Sequence, residues 1–136
     1  MLQYMFDHGQ MPKDERRLYT TYLASSFRSV RFGINEAHGK GMALQFNYLM
    51  DKGAFVVDAD GKFAVDFNKI KAAVRDLTHD LLTIEAKGDA AGARKLLAEL
   101  AVIRPPMQKA LASLHDIPVD IEPIHVSADE IAAPPR

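Results

Sequence analysis

The stretch Asn35-Glu36-Ala37-His38-Gly39-Lys40-Gly41-Met42-Ala43-Leu44-Gln45-Phe46-Asn47-Tyr48-Leu49 has a polar start with two glycines and then turns apolar. Asn35 is a residue type that caps helices, and Glu36 and Ala37 suit a first turn. Met42, Leu44, Phe46, Tyr48, Leu49 and Met50 then spread apolar surface over much of the circumference, until Gly53 ends the run. A helix of that kind belongs at the centre of a core. The chain is therefore read as mainly α, organised around this helix.

The same stretch gathers reactive chemistry. Gly39 and Gly41 let the backbone approach a ligand or another segment closely. Backbone N–H groups at a helix start favour an anion or a developing oxyanion. His38 can donate a hydrogen bond there, and Lys40 adds positive charge. A plainer reading stands beside this one: glycines that permit tight helix packing, a satisfied, partly buried histidine and a solvated lysine.

Toward the N-terminus, Met1 to His8 is apolar at positions 1, 2, 4, 5 and 6 and is closed by Gly9, which predicts a short helix. It starts without a cap, as in a chain cut from something longer or a frayed terminus. Pro12 suits the first turn of a second helix, from about Pro12 to Phe32. Leu18, Tyr22, Ser25, Ser26, Phe27 and Val30 are its expected buried stripe. Arg16, Arg17, Arg28 and Arg31 lie along it, either solvated or paired with carboxylates. A sharper reading has Arg28 or Arg31 orienting a substrate carboxylate, as a guanidinium fork can.

Downstream, the β-rich runs 54–58 and 62–66 flank Ala59-Asp60-Gly61, a hairpin signal. The aspartates there do not follow the twelve-residue calcium loop with its terminal glutamate. Asp66 is the expected N-cap of a fourth helix with the stripe Phe67, Ile70, Val74, Leu77, Leu81 and Ile84, closing near Gly88; His79 lies off that stripe. Asp89 opens a fifth helix to about Ala101, with Ala93, Leu96, Leu97 and Leu100 inside. Pro106 begins a short sixth helix to about His115. Residues 117–126 alternate apolar residues with acids or prolines and read as extended surface chain. Ser127 to Glu130 resembles a capping box. The organisation is one domain over 1–132 with a disordered tail at 133–136, and no internal repeat.

Composition bounds the function. The 136 residues are 48% hydrophobic and 26% charged, enough for one real core. Seventeen basic and eighteen acidic residues give a net charge of -1, which lends no support to nucleic acid or an anionic membrane as partner. There is no cysteine, so disulfides, thiolate metal sites and cysteine nucleophiles are excluded. Without a basic-then-apolar start or a membrane-length apolar run, the cytoplasm is the default location.

Five histidines stand at 8, 38, 79, 115 and 125, and none is followed by glutamate, so the chain holds no His-Glu zinc helix. A Gly-x-Ser-x-Gly elbow, a P-loop and a Nudix box are likewise missing from the sequence. His79-Asp80 and His115-Asp116 are sequence neighbours that face different ways on a helix, so neither is a dyad.

Several blocks in order carry a resemblance. They are Tyr22-Leu23-Ala24-Ser25-Ser26-Phe27-Arg28-Ser29-Val30-Arg31-Phe32-Gly33, then Glu36-Ala37-His38-Gly39-Lys40-Gly41 with Leu44-Gln45-Phe46-Asn47-Tyr48-Leu49, then Lys52-Gly53-Ala54-Phe55-Val56. Thr83-Ile84-Glu85-Ala86-Lys87-Gly88-Asp89 and Val119-Asp120-Ile121-Glu122-Pro123 follow. From about Leu2 to Ile131 the chain resembles the C-terminal part of the dipeptidyl-peptidase III family of zinc metallopeptidases. The nearer match is the shorter subgroup, which in plants is fused behind a Nudix domain. The resemblance implies a fragment of a larger catalytic lobe. It implies a peptide substrate, zinc held by two histidines and a glutamate upstream of this segment, and the N-terminal lobe of the same protein as partner. Ala37-His38 matches the family's pair whose histidine contacts the substrate near the scissile carbonyl, so His38 inherits that role. The candidate site is then His38 as the catalytic donor with Arg28, Arg31 and Lys40 as substrate-binding residues, and with no metal ligand. The alternative is a non-catalytic helical interaction or scaffold domain, and a His-Glu motif in the reading frame upstream of Met1 would separate the two.

The chain by itself is expected to bind zinc weakly if at all and to hydrolyse no dipeptidyl substrate, having neither a two-histidine helix nor a thiolate. Stoichiometric, nanomolar zinc in a competition assay would overturn this.

Overall fold

A computed structural model describes residues 2–10 and 14–120. Its elements run α1 (Leu2–Asp7), α2 (Glu15–Arg31), α3 (Ala37–Asp51), β1 (Phe55–Val57), β2 (Phe63–Val65), α4 (Ile70–Lys87), α5 (Ala90–Leu100) and α6 (Pro105–Ala112). The molecule is mainly α with one small hairpin, as the sequence predicts.

Helix α3 is the hub. It packs against α2, α4, α5 and β1. Ala43, Leu44, Phe46, Asn47, Tyr48 and Leu49 are all buried, so nearly every side of its middle turns is covered. This is the expected fate of a helix apolar on most of its circumference. Against it α2 lays Tyr19, Leu23, Ser26 and Val30, spaced four, three and four apart as one helical face requires. The hairpin joins through rings. Phe46 meets Phe27 at 5.4 Å and Phe55 at 5.6 Å, and Phe27 meets Phe63 at 4.9 Å, centroid to centroid. Tilted and edge-on pairs at such separations add to the area they bury. Ile70 and Ala73 of α4 and Met107 of α6 close this core, while Leu44, Tyr48, Leu77, Leu100 and Ala101 form a smaller one toward α5.

One buried polar side chain ties these layers together. Asn47 donates from Nδ2 to the carbonyls of Leu100 and Val102, each at 2.8 Å. The Leu100 carbonyl ends α5, where the helix has no N–H left to offer it, and the Val102 carbonyl lies two residues beyond the helix. Ser26, the other buried polar residue among the described ones, donates back to the Tyr22 carbonyl at 3.0 Å.

Local chemistry sets most element ends. Asp14 caps α2 by accepting from the Arg17 N–H at 2.9 Å, and Asp89 caps α5 by accepting from Gly92 at 2.8 Å. Gly88 ends α4 at φ +60, and the Asp89 N–H reaches back to the Ile84 carbonyl at 3.0 Å. In the hairpin Phe55 pairs with Val65 and Val57 with Phe63, antiparallel. Gly61, at φ +82, closes a turn on the Asp58 carbonyl, the three-residue loop with a left-handed last position.

The structure corrects several sequence expectations. Helix α2 starts at Glu15 behind the Asp14 cap; the role given to Pro12 falls on residues 11–13, outside the described ones. Its buried face runs through Tyr19 and Leu23, with Leu18, Tyr22 and Phe27 half-buried beside it and Ser25 exposed. Asp66 does not cap α4: it accepts from the Asn68 N–H at 3.0 Å in a preceding turn, and the helix begins at Ile70 after Lys69. Leu81 and Leu97 are 42% and 44% exposed, because no described residue packs over these outer faces of α4 and α5. Helix α6 begins at Pro105 and stops at Ala112, before His115. Residues 117 and 119–120 lie in bends, with Ile117 and Val119 exposed; the rest of the extended segment, the capping box and the tail lie outside the described residues.

Replacing Asn47 by Ala should destabilise the chain by about 2–4 kcal/mol, since it strands two carbonyls and opens a small void. Chemical denaturation checks this, with Leu82→Ala, at a 59% exposed position, as a surface control expected within about 0.5 kcal/mol of wild type.

Candidate functional site

Helix α3 opens after Glu36, not Asn35. Glu36 has extended backbone, at φ -86 and ψ 151, and its side chain caps nothing. The first intrahelical bond runs from the Lys40 N–H to the Glu36 carbonyl at 3.0 Å, so the N–H groups before it have no acceptor within the helix. His38 is the second residue of this open turn and is exposed.

The turn is held in place by a backbone contact. Gly33 ends the α2 region at φ +98, with its N–H on the Val30 carbonyl at 2.9 Å. A Cβ built on Gly39 would lie 1.9 Å from the Gly33 oxygen. Only glycine at 39 lets α3 start this close to the end of α2. Gly41, by contrast, has open space where a Cβ would go. Of the two glycines singled out in the sequence, one is a steric requirement and the other is not.

This approach brings His38 against one face of α2. Ser25, Arg28, Ser29 and Phe32 stand at i, i+3, i+4 and i+7, and together with Gly33, Glu36, His38 and Gly39 they line an open hollow of about 420 Å3. Arg28 is exposed and has no ion pair among the described residues. Arg31 points elsewhere: it donates to the carbonyl of Leu114 at 3.5 Å and to that of Ile117, pinning the chain after α6 to α2. Lys40 is exposed and outside the lining. Of the four residues marked in the sequence, the fold brings His38 and Arg28 together. Sequence reasoning overlooked Ser25, Ser29 and Glu36 as wall residues. The signal was available, since Ser25, Arg28 and Ser29 form a polar strip on α2 away from its buried face.

A second hollow, of about 280 Å3, lies between α1, α2, α3 and α4 and is mostly apolar, with Leu18, Val74 and Leu77 in its wall. Its polar groups are engaged. Tyr22 donates to Gln45 Oε1 at 2.7 Å, Gln45 Nε2 donates to the Gly41 carbonyl at 3.0 Å, and Tyr19 donates to Gln3 Oε1. Burial pushes both phenols up to about 12, so they remain protonated donors. Outside the hollows, Tyr48 donates to Asp80 at 2.7 Å, and this hydrogen bond holds the Asp80 carboxyl below its ordinary range. Among the described residues no group of three or more His, Asp or Glu could hold a metal ion, so the residues present do not fit a zinc site. No helix among them is long and apolar enough to cross a membrane.

The architecture defines a helical segment of a larger protein fold. In sequence and structure the chain resembles part of dipeptidyl-peptidase III. It superposes on dipeptidyl-peptidase III from Corallococcus sp. strain EGB with a TM-score of 0.85 and 53% identity, covering 90% of this chain and 23% of that one. On DPP III from Caldithrix abyssi the TM-score is 0.85 and the identity 47%, over 90% of this chain and 24% of that one. The chain is also 46% identical over 133 residues to Nudix hydrolase 3 of Arabidopsis thaliana, across 96% of this chain and 17% of that protein. It thus spans between a sixth and a quarter of the length of these relatives. No family model matches the chain.

The two glycines should separate cleanly on substitution. Gly39→Ala is expected to cost about 1–3 kcal/mol, because a methyl group must displace backbone. Gly41→Ala should instead stabilise by about 0.5–1 kcal/mol, through helix propensity in open space. Urea unfolding of both variants checks the pair.

Proposed function

We propose that this chain is the C-terminal segment of a zinc-dependent peptidase of the dipeptidyl-peptidase III kind and supplies part of its substrate-cleft wall. In this reading the zinc and its ligands belong to the upstream lobe, against which the segment packs. The metal would supply Lewis-acid activation of the peptide carbonyl. His38 contributes a hydrogen bond to the oxygen that gains negative charge when that carbonyl is attacked, beside the open N–H groups at the start of α3. Arg28 is placed to orient a charged group of the peptide from the opposite wall. Arg31 and Lys40 act from outside the hollow, Arg31 by holding the chain that follows α6 and Lys40 by its charge. The observation that carries the reading is the exposed His38 on an uncapped helix start, facing an Arg28-lined hollow, in a chain about half identical to dipeptidyl-peptidase III proteins. The competing reading, a non-catalytic interaction domain, draws support from the lack of a metal-binding group among the described residues.

The test is His38→Ala in the full-length protein. Turnover should fall on the order of a hundredfold or more while the melting temperature stays close to wild type, since an oxyanion donor acts mainly in the transition state. A variant that unfolds readily yet turns over normally while folded would make His38 a structural histidine and end the proposal.

A further inference from the structure

The first turn of α3 has few local reasons to hold its shape. Glu36 supplies no side-chain cap, and Gly39 and Gly41 both weaken a helix. Ala37, His38 and Lys40 are exposed and Gly39 has no side chain, so none of these four anchors the turn by burying an apolar group. The first fully buried side chain of α3 is that of Ala43. A side-chain path nevertheless reaches this turn from α2. Tyr22 donates to Gln45 Oε1 at 2.7 Å, and Gln45 Nε2 donates to the Gly41 carbonyl at 3.0 Å. Its direction is forced. A backbone carbonyl only accepts, so Gln45 must turn its amine to Gly41 and its oxygen to Tyr22, which leaves the phenol as donor. Tyr22 itself packs against the main core, with its ring 5.9 Å from that of Phe55, centroid to centroid. Gly41 stands three residues after His38, on the same side of the helix.

We propose that Tyr22 and Gln45 are positioning residues: the path from the Tyr22 phenol through Gln45 to the Gly41 carbonyl holds the first turn of α3 and so aims His38, a role that rests on His38 being the donor to the oxyanion. Neither residue touches the reacting atoms. Tyr22 brings the fixity of the core to a turn that its own sequence leaves loose, and Gln45 carries it across to α3. The Gly39 to Gly33 approach sets how near the two helices come. The Tyr22 path adds a directional bond, which close packing alone does not supply.

The test uses the full-length protein, a chromogenic dipeptidyl amide as substrate, and hydrogen–deuterium exchange read on the peptide that spans residues 36–45. Tyr22→Phe keeps the ring and removes the donor. It should speed exchange of that peptide roughly tenfold and lower kcat by a similar factor, the worth of one neutral hydrogen bond, with KM within about twofold of wild type. Gln45→Met, similar in size and lacking both bonds, should match it, and adding Tyr22→Phe to Gln45→Met should change little more. Tyr19→Phe is the control. It loses the same kind of bond, to Gln3 Oε1 on α1, and should leave both the exchange of 36–45 and kcat as in wild type. Wild-type exchange across 36–45 in Tyr22→Phe overturns the proposal. So does an equal fall in kcat in Tyr19→Phe, which marks a general loosening of the fold. Where His38→Ala lowers turnover, faster exchange with unchanged kcat in Tyr22→Phe defeats the positioning role and leaves the catalytic reading standing. Where His38→Ala turns over normally, the catalytic reading fails, and exchange still decides whether the path holds the turn.

Discussion

The fold depends on a single amide in an apolar helix. Burying a polar side chain is costly unless its hydrogen bonds are made. Asn47 sits 1% exposed in the middle of α3 and gives both N–H groups of its amide to carbonyls at and just past the end of α5. Those carbonyls would otherwise be unpaired where the chain turns from α5 toward α6. The bond therefore does two things at once. It satisfies a helix C-terminus, and it sets where α5 stops along α3. Met107 of α6, fully buried, follows a few residues later and closes the main core. An apolar residue at 47 would bury as well but would leave α5 free to slide, since dispersion contacts carry little direction.

At the other end of α3 the constraint is steric. The Gly39 to Gly33 approach leaves no room for a methyl group, and it sets the angle between the start of α3 and the last turns of α2. The hollow is a consequence of that angle. His38 comes from one helix and Arg28 from the other, and neither side chain has a hydrogen bond or ion pair among the described residues. The hinge between them is short, and the Gly33 conformation at φ +98 is one that side-chain-bearing residues rarely adopt. This backbone contact fixes how the two helix ends that wall the hollow meet, with Arg31 bracing α2 against the chain that follows α6.

Some apolar surface stays uncovered. Leu81, Leu82 and Leu97 are exposed on α4 and α5, and Val102 and Ile103 just beyond. In relatives of which this chain spans at most 24%, most of the protein lies elsewhere. The stripe read through Leu81 is real as a sequence pattern, and no described residue buries Leu81 within it.

Much was legible in the sequence because it rests on local physics. Helical periodicity, the Asp89 cap, the Gly88 stop and the Asp-Gly hairpin each depend on a few neighbouring residues, and each stands in the structure. So does the central place of α3, because a helix apolar on most sides has nowhere else to go. The resemblance to dipeptidyl-peptidase III was also readable, from blocks kept in order. What only the tertiary structure decided were matters of partner and of side. Asn47 looked like one polar residue in an apolar run until the α5 carbonyls came beside it. Gly39 and Gly41 were indistinguishable until Gly33 passed one of them and not the other. Arg28 and Arg31 were equal candidates three residues apart, which on a helix is a turn of nearly one full circle. The small remaining rotation sends Arg28 to the hollow and Arg31 to the carbonyls after α6, because contacts between distant segments are set by packing and leave no local mark in the chain.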